Sequence, residues 1–205
     1  YKYKTRHSLI YRILFKSYRM SFSTSYYNNI FRKFQEGNED AFSFFYQFYL
    51  NDLYSYGISM GFGKDVVKDV IQDVFLKMYF EKKNFTSINH LKFFLLKSLK
   101  NRLYNIYKSK AVSATTEISE EIISFSITTT VLDKIIDEED RTIIKQQLDE
   151  LLSELTSRQK EAVYLRFMQE LEYDEIAEIM HITEHAARKL ISRSLNRLRM
   201  ASSYF

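Results

Sequence analysis

The stretch Asp65–Tyr79, DVVKDVIQDVFLKMY, sets the fold class of its surroundings. At about 100° per residue, Val67, Val70, Ile71, Val74 and Met78 gather on one side, with Val66 and Phe75 at its margins. Asp65, Asp69, Gln72 and Asp73 fall opposite. Apolar residues recur at spacings of three and four and do not alternate, so the segment is an amphipathic α-helix and not a strand. Leu76 breaks the pattern by projecting into the middle of the acidic side, across from the core stripe. A single exposed leucine is ordinary on a protein surface. Three carboxylates and an amide around an apolar anchor also make a partner surface, suited to Arg or Lys donors around a small apolar pocket.

Composition agrees with a helical chain. The 205 residues include no Pro, no Cys and only 4 Gly. Without Cys there is no disulfide framework and no thiolate zinc site, which fits a reducing cytosol. Few Gly leave no phosphate-binding glycine loop, and the 4 His show no metal-ligand spacing. Apolar residues make up 45% of the chain, enough for one or two packed cores. No apolar run approaches the length of about 18 residues that membrane insertion needs, so no span is expected. The net charge of +4 hides an asymmetry: residues 1–110 carry 19 Lys/Arg against 8 Asp/Glu, and residues 111–205 carry 11 against 18. Within the acidic half, residues 186–205 hold five Arg/Lys and no acid. Screening over about 10 Å lets such a basic tip meet DNA on a domain that is acidic overall.

In chain order, residues 1–25 form a basic, aromatic N-terminal extension, within which Met20 is a candidate start. A helix through Ile30, Phe31 and Phe34 stops at Gly37-Asn38. Asn38 or Asp40 caps the next, which runs through Phe45, Tyr49 and Leu53 and closes at Gly57 and the Gly61-Phe62-Gly63 turn. After the opening helix, a short polar stretch at Asn84–Asn89 leads into a helix ending near Lys110. Leu91, Leu95, Leu99, Leu103 and Ile106 face a core there. Phe93, Lys97, Lys100, Asn101, Tyr104 and Lys108 gather opposite. Lysines contact phosphates and rings stack on unpaired bases, so that face suits single-stranded nucleic acid better than a solvated lysine face alone would require.

Residues 111–138 read as a linker: Ser/Thr-rich and β-branched around Ala111–Thr116 and Ser124–Thr130, extended or poorly ordered by itself. Helical pattern resumes at Ile143, Ile144, Leu148, Leu151, Leu152 and Leu155. Thr156-Ser157-Arg158-Gln159 is a capping-box sequence. Leu171–Met180, the turn His181-Ile182-Thr183 and a second helix from Glu184 to Arg199 then form a helix-turn-helix pattern, with small Ala177 at the close approach and Thr183 as cap. Ala187, Ile191, Ser194, Leu195 and Leu198 cover the inner side of the second helix. Glu184 and His185 stand in its first turn; Arg188, Lys189, Ser192, Arg193, Asn196 and Arg197 lie outward with them, the face that such helices set in the major groove. His181 stands where Gly is common; a left-handed backbone there would cost roughly 1 kcal/mol.

The ordered set resembles bacterial RNA polymerase sigma factors of the extracytoplasmic-function group, over roughly residues 26–110 and 139–200. Asp69–Tyr79 is similar to the group's helix that grips the clamp coiled coil of the polymerase, and Asp40–Tyr46 to its preceding conserved region. Lys97–Asn105 resembles the helix that handles the melted promoter strand, and Thr156–Arg199 the domain that reads the upstream element. The group's Ala-Arg-Asn run is Leu99-Lys100-Asn101 here, and a common Trp is Tyr79. Lys keeps a phosphate contact without the fork of Arg.

The resemblance implies two small helical domains: a region-2-like domain over 26–110, the linker 111–138, and a region-4-like helix-turn-helix domain over 139–205. It implies core RNA polymerase, promoter DNA and an anti-sigma factor as partners, in the cytoplasm and without membrane insertion. Asp65, Asp69, Gln72, Asp73 and Leu76 would dock on the polymerase. Phe85 and Asn89, in the loop that would hold a flipped base, would meet the melted strand together with Lys97, Lys100, Asn101, Tyr104 and Lys108. Thr183, Glu184, His185, Arg188, Lys189, Ser192, Arg193, Asn196 and Arg197 would face the duplex. No nucleophile–base pair, metal box or cofactor motif is visible, so no enzyme activity and no cofactor are expected. The competing class is a helix-turn-helix repressor or activator independent of polymerase. It would use only residues 139–200 and would leave Leu76 and the basic-aromatic helix unexplained.

Overall fold

The computed structural model describes residues 24–113, 124–127 and 149–202. The described residues are helical with connecting turns, and they fall in two compact units, one within 20–122 and one within 123–205. The basic extension before residue 24, most of the linker, and the pattern at Ile143, Ile144 and Leu148 lie outside the described residues.

The first unit is built from α1 (Thr24–Gln35), α2 (Glu39–Ser59), α3 (Lys64–Phe80), a single 3₁₀ turn at Lys82–Asn84, and α4 (Ile88–Ser113). Gly37, at φ 90°, ends α1: its N–H bonds to the carbonyl of Phe34 while that of Asn38 bonds to Lys33. This pairing satisfies two end carbonyls through a left-handed residue. Asn38 then caps α2, its side-chain oxygen accepting from the Ala41 N–H at 2.9 Å.

Gly57 does not close α2, which continues to Ser59. It is instead a contact point: a Cβ there would stand 2.7 Å from Cγ1 of Val67. The missing side chain lets α2 and α3 approach, and it is Gly61, at φ 82°, that turns the chain. Val67, Val70, Ile71, Val74, Phe75 and Met78 of α3 are buried, as are Leu91, Leu95, Leu96, Leu99 and Leu103 of α4 and the rings Phe34, Phe45 and Tyr49. Ring pairs bind this aromatic core, among them Phe34–Phe45 edge-on at 5.5 Å and Phe45–Tyr49 stacked at 6.2 Å.

In the second unit, residues 149–153 are helical and Leu152 and Leu155 are buried. The capping box forms as expected: the Gln159 N–H donates to the Thr156 hydroxyl at 3.3 Å and the Thr156 N–H donates to the Gln159 side chain at 3.0 Å. It opens α5 (Ser157–Val163), which continues as a π-helical segment, Tyr164–Met168, that the sequence pattern did not reveal. The Gln169 N–H bonds to the Tyr164 carbonyl, a five-residue step. Glu170, at φ 54°, then turns the chain toward α6 (Tyr173–Ile179). α7 (Glu184–Ser202) completes the helix-turn-helix.

Two parts of the stretch read as an extended or poorly ordered linker are described. α4 runs on to Ser113, and in residues 124–127 Phe125 and Ile127 are buried while Ser124 and Ser126 are exposed. The Phe125 ring lies 5.5 Å from that of Tyr164, so this strip packs on the second unit. Among the described residues, no helix is long and apolar enough to cross a membrane.

Candidate docking and nucleic-acid surfaces

On α3 the projected division into core and outer face is realised. Asp65, Asp69, Gln72, Asp73 and Leu76 are all exposed, and Leu76 keeps 58% of its surface in water. Phe80, 78% exposed, stands one residue past the projected stretch Asp65–Tyr79, and carrying the same projection one residue further finds it. It sits four residues after Leu76, about 40° around the helix, and so on the same face. Two apolar side chains therefore stand among the carboxylates. Not all of those carboxylates are unoccupied: Asp73 accepts from Arg102 of α4 at 3.2 Å. Both side chains are more than half exposed, so this pair contributes at most about 1 kcal/mol and a partner cation can replace it.

Phe85 must be corrected. It is buried, with its ring 4.9 Å from Phe94 and stacked on Phe34 at 6.4 Å, and its carbonyl accepts from the Gln35 side chain at 2.8 Å. An aromatic residue after a polar turn reads equally as a base platform or as a core plug, and packing made it the plug. The polar edge of the same loop stays outside: Thr86, Ser87 and Asn89 are exposed. The loop is held by its own bonds. Ser87 accepts from the His90 N–H at 3.1 Å, and the Thr86 N–H donates to Nδ1 of His90 at 3.3 Å.

Along α4, Lys97, Lys100, Asn101 and Tyr104 are partly exposed and Lys108 is exposed, opposite the buried leucines. Lysines lie over the rings of this face: Lys97 Nζ is 5.5 Å from the Phe93 centroid and Lys108 Nζ is 4.7 Å from that of Tyr104. An exposed cation–π contact is worth about 0.5–1 kcal/mol, whereas a base stacked on a ring is worth about 1–3 kcal/mol. A base stacked on either ring would thus outweigh the ammonium contact that it displaced.

The helix-turn-helix is closed by backbone geometry. His181 is left-handed, at φ 52°. Its N–H bonds to Glu178 and that of Ile182 bonds to Ala177, the same pairing that ends α1. Thr183 accepts from the Ala186 N–H at 3.2 Å and so caps α7. Ala187, Ile191, Ser194 and Leu198 are buried; Leu195 is half-buried. Thr183, Glu184, His185, Arg188, Lys189, Ser192, Arg193, Asn196 and Arg197 are all exposed.

Arg188 and Arg197 occupy opposite margins of this face, about 80° and 100° from Asn196 at its centre. Arg188 donates to the Glu184 carboxylate, through Nε at 2.9 Å and also through Nη2, and its guanidinium lies 4.3 Å over the Tyr173 ring. Arg197 reaches back to Gln159 of α5 at 3.4 Å. His185, Lys189, Ser192 and Asn196 form the middle. Among the described residues, no group of three or more His, Asp or Glu is placed to hold a metal ion.

Comparison with known proteins gives three findings. Residues 145–198 match the family described as sigma-70, region 4. The chain is 27% identical over 154 residues to the ECF RNA polymerase sigma factor SigM of Bacillus subtilis (strain 168), covering 75% of this chain and 90% of that protein. Its fold is similar to that of the sigma factor RpoE of Bartonella quintana, solved with the anti-sigma factor NepR, with a TM-score of 0.52 at 22% identity over 78% of this chain and 96% of that one.

Proposed function

We propose, from the premise that this chain belongs to the extracytoplasmic-function group of the sigma-70 family, that it binds core RNA polymerase and directs promoter recognition and the initiation of transcription. The observation that carries this reading is the pairing, in one chain, of an exposed apolar and acidic face on α3 with a helix-turn-helix whose outer face is basic. A polymerase-independent repressor has no use for the first of these. The likeness to the Bacillus protein also covers far more of the chain than a DNA-binding domain alone.

Each surface has a role in this reading. Asp65, Asp69, Gln72, Leu76 and Phe80 dock on the polymerase, where fork donors meet the carboxylates and an apolar pocket takes the two side chains. Asp73 joins them once a partner cation replaces Arg102. Lys97, Lys100, Asn101, Tyr104 and Lys108, with Asn89 at the loop edge, hold the melted strand by phosphate contacts and stacking. α7 enters the major groove of the upstream element. In this reading the domains are the region-2-like 26–110, the linker 111–138 and the region-4-like 139–205, and within the linker Phe125 lies against Tyr164 of the second unit. The polymerase supplies the chemistry and this chain contributes recognition, without catalytic residues of its own. It works in the cytoplasm, where an anti-sigma factor that covers these surfaces holds it inactive.

The decisive experiment is run-off transcription with purified core polymerase on fragments of the source genome. Discrete transcripts that require the chain are expected. Binding to DNA without polymerase, and no transcript with it, would overturn the reading.

A further inference from the structure

Tyr173 opens α6 and carries no role in the surfaces above, yet two guanidinium groups lie over its ring: Arg166 at 4.7 Å and Arg188 at 4.3 Å. Arg166 comes from the π-helical segment and is anchored, donating to the Leu171 carbonyl at 2.6 Å and to the Glu172 carboxylate at 3.1 Å. Its side chain is only 26% exposed, against 56% for Arg188. Tyr173 is therefore shared by an anchored, largely buried cation and a cation on the recognition helix. Arg188 is held a second time by Glu184, one turn earlier on α7, which takes its Nε and Nη2 donors.

A long side chain on an exposed helix face normally samples many rotamers and loses that freedom when it binds. Here the bond to Glu184 and the contact with Tyr173 restrict that freedom before DNA arrives. A guanidinium over a ring is also confined to a plane parallel or tilted to it, and reading the O6/N7 edge of guanine is a planar, two-donor task. With one edge of the fork on Glu184, the Nη1 hydrogens lie outside that pair.

We propose that Tyr173 is a positioning residue for promoter reading. Its ring, backed by Arg166, holds the guanidinium of Arg188 in the plane from which it contacts a guanine edge of the upstream element. Tyr173 touches no base itself and acts only through Arg188. Arg166, which reaches the ring, stands within the π-helical segment. The inference rests on the proposal that α7 lies in the major groove.

The test uses the full chain assembled with its core polymerase and a duplex library randomised across the upstream element. Arg188→Ala should lower discrimination at one base pair by roughly 5- to 150-fold. Tyr173→Ala should lower it at the same pair by about two- to fivefold, the worth of an exposed cation–π contact. Tyr173→Phe, which keeps the ring face, should restore it. Tyr173→Leu, which keeps bulk for folding but has no ring, should behave as Ala does. The double variant Arg188→Ala/Tyr173→Ala should discriminate no worse than Arg188→Ala. A Tyr173→Ala effect that weakens all sequences alike, or a failure of Phe to rescue, would overturn the positioning role. If Tyr173→Ala leaves the preference intact while Arg188→Ala changes it, this inference fails and the groove reading stands. If Arg188→Ala changes the preference at no pair, base reading by Arg188 fails and this inference falls with it.

Discussion

Replacement of Leu76 by alanine isolates the docking proposal. Burying an exposed leucine completely is worth about 1.5–3 kcal/mol. Leu76 has 58% of its surface still to bury, so a polymerase pocket that closes over it gains about 1–2 kcal/mol. Leu76→Ala should therefore weaken binding of the chain to core polymerase by about 5- to 30-fold. Asp73→Ala should add less than a free carboxylate would, because a partner cation must first displace Arg102 from it. The double variant should lose about 2 kcal/mol or more. The assay is an equilibrium titration of a labelled chain with core polymerase in the absence of DNA, beside thermal unfolding of the same variants. Leu76 lies more than half exposed, off the buried stripe of α3, so its loss should move stability by no more than about 0.5 kcal/mol, a shift of under about 4 °C in Tm. Affinity within twofold of the parent, with an unchanged Tm, would refute the anchor. A large drop in Tm would show that the side chain supports the fold.

Phe80→Ala should resemble Leu76→Ala in the same titration, because 78% of its surface is available for burial. The triple variant Lys100→Ala/Asn101→Ala/Tyr104→Ala should impair open-complex formation more than polymerase binding; normal permanganate reactivity of promoter thymines would contradict it. Arg197→Ala should lower affinity evenly across upstream sequences and reduce the salt slope by about 1, and a changed sequence preference would argue against a phosphate contact. Gly57→Ala should destabilise the chain by roughly 1 kcal/mol: the clash with Val67 costs about 1–3 kcal/mol and the better helix former returns at most about 1 kcal/mol. A rise in Tm would exclude it. His181→Gly should stabilise by up to about 1 kcal/mol by relieving the left-handed backbone, measured by denaturant unfolding.

Much of this protein is determined by sequence alone, and the reason is periodicity. Apolar residues at spacings of three and four place Val67, Val70, Val74 and Met78 inward and Leu76 outward before any neighbour is known, since a helix has one geometry. The same holds for the two faces of α7. Caps are local as well: Asn38, Thr156 and Thr183 bond to N–H groups three residues away, so short motifs disclose them.

What tertiary structure decided are the contacts between segments distant in sequence, for which no local pattern exists. Phe85 became core because Phe34 and Phe94 come to meet it. Gly57 became a packing point because Val67 lies across from it, although a glycine near a helix end reads locally as a stop. Phe125 and Ile127 found a face on the second unit that a Ser/Thr-rich composition does not suggest. Asp73 met Arg102 across two helices, so a docking carboxylate is already paired in the free chain. The sharing of the Tyr173 ring by Arg166 and Arg188 depends on three elements arriving together. Each element's own sequence fixes which way its side chains point, but only the packed chain determines what they reach.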